Sequence, residues 1–480
     1  MDINVQSFDR MLKAGGYPYT GDSVVEELRK ALSTDNSGPG GIQSGPLMLQ
    51  NLDAVMTEVL ITEQHFKLYN MLPKVPSAQP YYEYNVHLGF GSKRGSLGFG
   101  QGGAPKGGVS AFQRKGIYNK FLGVKGGVTH QMLVTGQNGG AFEDPTVREN
   151  RDRTLEMLER LERELIHGKS TITDENGVEV NMDGLIAQLT ANLPGNIIDM
   201  KGKPFSYDQL DDDAEYLVTT GKQPSVNGYT ALMSPHVSSS LNKMWQQRNT
   251  VRNLKGSAET GSSFIPGFEV PKYDTQFGTF QFDYSILLQE VEGGIPVDSA
   301  PAGVPASPAT PTGTPTNDAT SLMDAGTYYY SVAACNDTGE SLPTISAAIV
   351  CATGQNVTLA WARLSGATSY RIYRGKLANG TDAEWIGRIP QSASAPLAFV
   401  DANGWRTVDA NGAKANGLAI EIKPDPKDIA IAQMTPLIKM PLPQVDTTYP
   451  FLLLLYIVAV IKAPQRVRIY KNCGTYTPAP

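Results

Sequence analysis

Cysteine is nearly missing: Cys335, Cys351 and Cys473 are the only three in 480 residues. No two form a C-x-x-C pair, and an odd count does not make a disulfide framework, so free thiols in a reducing compartment are expected. Histidine is almost as sparse. His65, His87, His130, His167 and His236 never stand at metal-ligand spacing with one another or with cysteine, and no metal site is expected. Walker, G-x-S-x-G and H-E-x-x-H patterns are absent, so no catalytic residue and no cofactor-binding residue is assigned, and no enzyme is expected. Charge is scarce too, at 18% of residues with a net −6, which excludes a basic nucleic-acid binder as the character of the whole chain. The first ten residues, MDINVQSFDR, lack the apolar core of a signal peptide, and none is expected. The longest apolar run, FLLLLYIVAVI from Phe451 to Ile461, is about half of the ~20 residues that cross a bilayer as a helix. It is β-branched and flanked by proline, so it reads as a buried strand, with no membrane partner.

Glycine and proline, by contrast, are plentiful, at 49 and 32 residues. Nine glycines crowd into Leu88–Gly108, LGFGSKRGSLGFGQGGAPKGG, whose only charges are Lys93, Arg94 and Lys106. Gly98, Gly100 and Gly103 spell G-x-G-x-x-G. A dinucleotide site needs a helix to open at the third glycine, and here APKGGVSAF follows, which starts none. On either side the chain alternates. Tyr82, Tyr84, Val86 and Leu88 fall on one face before the loop, and Tyr118, Lys120, Leu122 and Val124 after it. The glycine loop is therefore the tip of a long β-hairpin.

Residues 1–46 are polar and glycine-rich and read as an extended arm. From Leu47 to Pro73, Leu49, Leu52, Val55, Val59 and Leu60 give a helical stripe. A second helix is bounded by Asp144 as N-cap, Pro145 at its first position and Gly168 beyond its end. Val147, Leu155, Leu158, Leu161 and Leu165 form so narrow a stripe that the helix should lie across a surface, with its charges a solvated face. Acidic stretches at Asp174–Gly177 and Asp211–Asp213 lack EF-hand spacing and read as loop tips. LMSPHVSSSLNKMWQQR reads as strand, turn and helix, with Ser234 as cap. FIPGFEVPKYDTQFGTFQFDYSILLQE is strand-rich, with a turn at Gly278–Thr279. At about residue 298 the composition shifts to a Pro/Thr/Ala linker, followed by about a hundred residues of short strands. Trp361, Tyr370, Ile372 and Tyr328 are its expected core. Helix formers return at Glu421. A β domain over 298–420 is thus inserted in another domain, and its ends must lie close together.

This order of elements resembles the tailed-bacteriophage major capsid proteins of the Hong Kong 97 type. The resemblance covers most of 47–296 and 421–480. It rests on the hairpin, the long helix ending in ERELIHGKS, the LMSPHVSSSLNKM step and the closing TTYPFLLLLYIVAVIKAPQRVRIYKN. It implies an α+β capsid fold with an N-terminal arm (1–46) and a first core part (47–297). That part holds an E-loop hairpin (about 80–125), a spine helix (about 145–167) and an A-domain (about 177–297). Residues 421–480 return to complete the A- and P-domains. The insert resembles an immunoglobulin-like or fibronectin type III sandwich, through YYYSVAACNDTGES and ATSYRIYRG, although the Y-x-I-Y-R strand comes first in that family and second here.

The resemblance implies a structural subunit that self-assembles into hexamers and pentamers of an icosahedral shell around the genome, assembled in the host cytoplasm and resident in the virion. Implied partners are portal, scaffold and decoration proteins and packaged double-stranded DNA on the inner face. The insert would be exposed as a decoration, touching either the host surface or neighbouring capsomers. Glycines would let the E-loop bend over a neighbour, and Lys93, Arg94, Phe99, Lys106, Leu155, Leu158 and Leu161 are the candidate intersubunit contacts. Lys93, Lys106 and Asn472 supply the residue types of the crosslink that some members form, but such residues are common on surfaces and no crosslink is expected. Two other readings stay open: an encapsulin-like nanocompartment shell protein and an adhesion protein built on the β-sandwich.

Overall fold

The computed structural model describes residues 60–91, 98–104, 107–137, 143–173, 178–249, 270–290, 300–391, 397–408, 414–444 and 446–476. Contacts divide the chain into two units, 1–60 with 136–143 and 61–135 with 144–480, and nearly all described elements fall in the second. In chain order these are α1 (Lys67–Met71), β1 (Lys74–Pro76), β2 (Tyr81–Gly89), β3 (Ala111–Tyr118), β4 (Lys120–Thr129), α2 (His130–Gln137), α3 (Pro145–His167), α4 (Leu185–Asn192), β5 (Ile197–Asp199), α5 (Tyr207–Thr219), β6 (Tyr229–Met233), α6 (Pro235–Asn249), β7 (Lys272–Thr275) and β8 (Gly278–Tyr284). Then come β9 (Thr312–Asn317), β10 (Gly326–Cys335), β11 (Thr344–Ile345), β12 (Ile349–Cys351), β13 (Gln355–Trp361), β14 (Ser369–Gly375), β15 (Glu384–Pro390), β16 (Leu397–Asp401), β17 (Gly417–Ile422), β18 (Ile429–Pro441), β19 (Thr448–Ile461) and β20 (Arg468–Cys473).

The apolar run Phe451–Ile461 lies in β19, which runs between β18 and β4 in a four-stranded sheet ordered β1-β18-β19-β4. Consecutive residues from Ile457 to Ile461 are all buried, so both faces of that half are covered, which is why the strand can be so uniformly apolar there. The long helix α3 packs on this sheet. Asp144 accepts a hydrogen bond from the Thr146 amide at 2.8 Å and Pro145 opens the helix, so its start follows the cap chemistry. Arg148–Asp152, Arg153–Glu149, Arg153–Glu156, Arg160–Glu156 and Arg163–Glu159 pair along its surface.

Burial on α3 departs from the expected stripe. Val147 is exposed, whereas Met157, Leu161, Leu165 and Ile166 are sealed in the core, so the C-terminal half is enclosed and does not merely lie across a surface. Not all its charges are solvated either. Glu162 is fully buried and accepts from the Leu68 and Tyr69 amides at 2.6 and 2.9 Å, capping α1. Glu164 accepts from the Met182 amide at 2.9 Å. Gly168 is extended (φ −53°, ψ 145°), not left-handed. It is needed for close approach, since a Cβ there would sit 2.5 Å from the Glu164 and Met182 carbonyl oxygens.

Other expectations shift as well. In the described part of 47–73, only Lys67–Met71 is α-helical. Leu49, Leu52, Val55 and Val59 lie outside the described residues, and Leu60 is exposed. The alternation after the hairpin breaks at buried Asn119, whose Nδ2 donates to Ser77 Oγ and the Gln79 carbonyl. Tyr118 therefore ends β3 and is exposed, while Lys120, Leu122 and Val124 share the half-buried face of β4. The β7–β8 turn is Gln276–Phe277, with Thr275 paired to Gly278. Asp211–Asp213 is no loop tip: it lies within α5, and Asp213 is buried. Asp174–Gly177 lies outside the described residues.

A second sheet, ordered β5-β20-β17-β6-β8-β7, carries α5 and α6, whose Leu210, Ala214, Leu217, Val237 and Leu241 share its core. Strand β17 belongs to this sheet from Gly417, so the chain rejoins the core earlier than Glu421. Between β8 and β17 the chain builds two further sheets, β11-β10-β14-β15 and β16-β13-β9, closed on a common core of Tyr328, Tyr330, Val332, Val357, Leu359, Trp361, Tyr370 and Ile372. Each such side chain contributes about 1.5–3 kcal/mol by burial.

Candidate assembly surface

Strands β2 and β3 pair in register, Tyr82 opposite Ile117 and Tyr84 opposite Lys115. Tyr82, Tyr84 and Ile117 pack against the core, which anchors the hairpin's base. Beyond His87 the register shifts and no second layer follows. There the His87 ring stacks on Phe112 at 4.6 Å and meets Phe90 edge-on at 4.9 Å. Phe90 is 83% exposed, Val109 86%, Phe112 69%, Phe99 60% and Leu88 58%. Large apolar side chains thus stay open along one flap, the kind of patch that contact surfaces present. The G-x-G-x-x-G glycines make a turn, closed by the Gly103 amide on the Gly100 carbonyl at 2.9 Å, and Ala104 continues without a helix.

Of the candidate contacts, Phe99 stands on this flap, exposed. Lys93, Arg94 and Lys106 lie outside the described residues. Leu155 and Leu158 are half-buried on α3. Leu161, 1% exposed, is spent inside the subunit, so it cannot touch a neighbour and is withdrawn as a contact. The sequence reading missed Phe90, Val109 and Phe112. A signal was there: Phe90 stands between two glycines, and Val109 follows two more, so small neighbours leave both side chains little to pack on.

Away from the flap, buried polar groups are structural. Asn472 is fully buried at φ 59°. Its Nδ2 donates to Asp199 Oδ1 at 2.8 Å and to the Gly404 carbonyl at 3.1 Å, and its Oδ1 accepts from the Arg406 amide at 2.7 Å. With its amide fully engaged, Asn472 fits a joint better than a crosslink. On β17 of the six-stranded sheet, Glu421 is completely buried beside Asp213, which pairs with Arg468 at 2.5 Å and accepts from the Tyr470 hydroxyl. Burial first, then the Asp213 charge, pushes Glu421 well above the usual carboxylate range, so the two acids hold one proton between them. Cys335 and Cys473 are buried free thiols whose pKa values burial raises, which keeps them unreactive. Among the described residues, no three or more His, Cys, Asp or Glu side chains gather as a metal site, and no helix is long and apolar enough to cross a membrane.

The hairpin is thus anchored at its base and open and apolar at its tip. Residues 124–292 match the family described as SU10 major capsid protein. That stretch, from β4 through α3 and the second sheet to β8, is thus similar to a major capsid protein family. Similar solved structures include the mature capsid of bacteriophage PhiM1, at 10% identity over 94% of this chain and 99% of that one, with a TM-score of 0.41. The capsid of a native GTA particle matches at 8% identity over 90% and 97%, with a TM-score of 0.45. The SrpI encapsulin complex of Synechococcus elongatus PCC 7942 matches at 10% over 88% and 95%, with a TM-score of 0.35. No curated protein matches.

Proposed function

We propose that the hairpin is the flap by which each subunit grips its neighbour, and that hexamers and pentamers so joined enclose a double-stranded DNA genome. The observation that carries this is the apolar tip: Phe90, Phe99, Val109 and Phe112 have no cover within the described subunit. Glycines on either side let one sequence bend differently at non-equivalent positions of a shell. Lys93, Arg94 and Lys106 are proposed to meet acidic groups of the neighbour. Leu155 and Leu158 remain candidate contacts on α3, residues 1–46 are the proposed arm, and portal, scaffold and decoration proteins are the proposed further partners.

We propose an immunoglobulin-like lineage for the insert. In that fold A, B and E lie side by side on one sheet and C, F and G on the other. Taking β9, β13 and β16 as A, B and E, and β14, β10 and β11 as C, F and G, fits the strand order here. F and G then precede B, C and E in the chain, which accounts for the Y-x-I-Y-R strand standing second.

Replacing residues 89–107 by an Asn-Gly turn tests the flap. The strands still pair across such a turn, so a soluble, cooperatively melting subunit is expected that forms no shells by negative-stain microscopy or sedimentation. Normal shells from this variant would overturn the assignment.

A further inference from the structure

We infer that the sandwich is seated on the long helix by a proton-sensitive joint centred on His167, closed above the ordinary histidine range and loosened below it. His167 ends α3, and its Nε2 donates to the Leu288 carbonyl at 2.8 Å. Its ring meets Trp385 of β15 at 5.4 Å and Trp405 of the returning chain at 5.9 Å, and the two tryptophans lie 5.5 Å apart. Three rings from three segments thus close the seat. Further contacts cross beside them: Lys169 Nζ donates to the Arg388 carbonyl at 3.2 Å, and Lys471 Nζ to the Gly404 carbonyl at 2.9 Å. The insert is therefore braced on the core and not merely tethered to it.

With Nε2–H on Leu288, a second proton must go to Nδ1 and create an imidazolium on a half-buried ring. Arg163 and Lys169 face it with like charge. Glu290, the opposing acid beyond Leu288, is already drawn on by Arg371 at 3.5 Å and Arg388 at 3.8 Å from the sandwich. Asp382 and Glu384 line the same cavity of about 290 Å³, but so do Arg406 and Lys414. Burial is the larger effect and pulls His167 below its ordinary pKa, with Glu290 and the Leu288 carbonyl opposing. A histidine with a lowered folded pKa adds stability that is complete above about 6.5 and is lost as pH falls through the folded value. The seat is also imperfectly closed: Trp385 Nε1 and Asn416 Oδ1 on the cavity wall are buried without partners, so opening restores their hydration.

The test is hydrogen–deuterium exchange on the unassembled full chain, read in peptides spanning 163–169 and 384–390, so that its outcome does not depend on shell formation. Corrected for intrinsic rates, protection of both peptides should fall about threefold or more between about pH 7.5 and about pH 5. His167→Gln keeps a donor for Leu288 and cannot titrate, so its protection should stay level. His236→Gln should respond like the parent chain; His236 is a second half-buried histidine whose pKa desolvation lowers, placed near Cys473 and away from the seat. A level parent chain, an unchanged response in His167→Gln, or a response lost in His236→Gln would each overturn the joint. Should His167→Gln fail to melt cooperatively, Glu290→Gln replaces it. Loss of the acid that most opposes the shift must move the loosening to lower pH, and a shift the other way or none at all refutes the proposal.

Discussion

The hairpin β2–β3 has two strands and one covered face, whereas the inserted sandwich has two sheets that cover each other. Both are β excursions from the same core. In the sandwich, alternate residues of β10, β13 and β14 meet across a shared interior, so Tyr330, Val357 and Tyr370 are completely buried. In the hairpin the inner face finds the core only near its base, and past His87 every large apolar side chain among the described residues stays open. A two-stranded ribbon is marginal by itself. The difference teaches where each element completes its burial: the sandwich does so within the chain, and the flap's tip, among the described residues, does not. Mutations should therefore cost the sandwich stability and cost the flap assembly.

Arg374 is the severest way to break this contrast. It is 3% exposed and pairs with Asp401 at 2.6 Å, and Tyr330 donates to the same carboxylate oxygen at 2.8 Å. Arg374→Ala leaves a buried carboxylate without its cation, and a loss of about 3–5 kcal/mol is expected in denaturant unfolding of the sandwich. A loss under about 1 kcal/mol would mean that the sandwich interior is open to water. The next step compares truncations. Ile372→Ala should cost about 2–5 kcal/mol, because a sealed core cannot collapse fully around the cavity. Phe112→Ala on the flap should stay within about 0.5 kcal/mol in the isolated subunit, yet slow or reduce shell formation in light scattering. Equal stability losses at the two sites would erase the contrast.

The sequence made some of this legible. Asp144, Pro145 and Gly168 bound the long helix because caps act locally, within a residue or two of the ends they set. The run at Phe451–Ile461 reads as a strand for the same reason of short range. Trp361, Tyr370, Ile372 and Tyr328 read as core because alternation is a local pattern. The failures are all tertiary. Glu162 looks like a solvated charge until α1 places two amides against it. Period-two alternation runs straight through Asn119, whose partners Ser77 and Gln79 stand about forty residues back. Leu158 and Leu161 are indistinguishable in a helical stripe, and only packing decides that Leu161 is the sealed one. The flap's tip was hidden differently. Attention to Lys93, Arg94 and Lys106 favoured charge, while the exposed surface there is built from Phe90, Phe99, Val109 and Phe112.

The smallest effect expected lies at the flap's own ion pair. Arg114 Nη1 stands 3.6 Å from Glu83 Oε2, and Arg114 Nε donates to Asn85 Oδ1 at 3.4 Å, all on adjoining strands. Like Arg374, Arg114 is a cation paired with an acid of another strand, but Arg374 of β14 reaches Asp401 of β16 in the facing sheet, whereas Arg114 reaches only along its own ribbon. The surroundings differ: the Arg114 and Glu83 side chains are 68% and 48% exposed. Water already solvates both charges, so their attraction is weak and salt screens it further. Arg114→Ala should therefore change subunit stability by less than about 1 kcal/mol, and a difference of even that size should shrink as salt is raised. If the flap lies over a neighbour in the shell, the same pair is shielded there and the substitution should matter more to assembled shells than to free subunits. Thermal melts of the two forms, with and without Arg114→Ala, separate these cases. A loss in the free subunit approaching that of Arg374→Ala would show that the flap is covered within its own chain, and the contrast between the two excursions would fall.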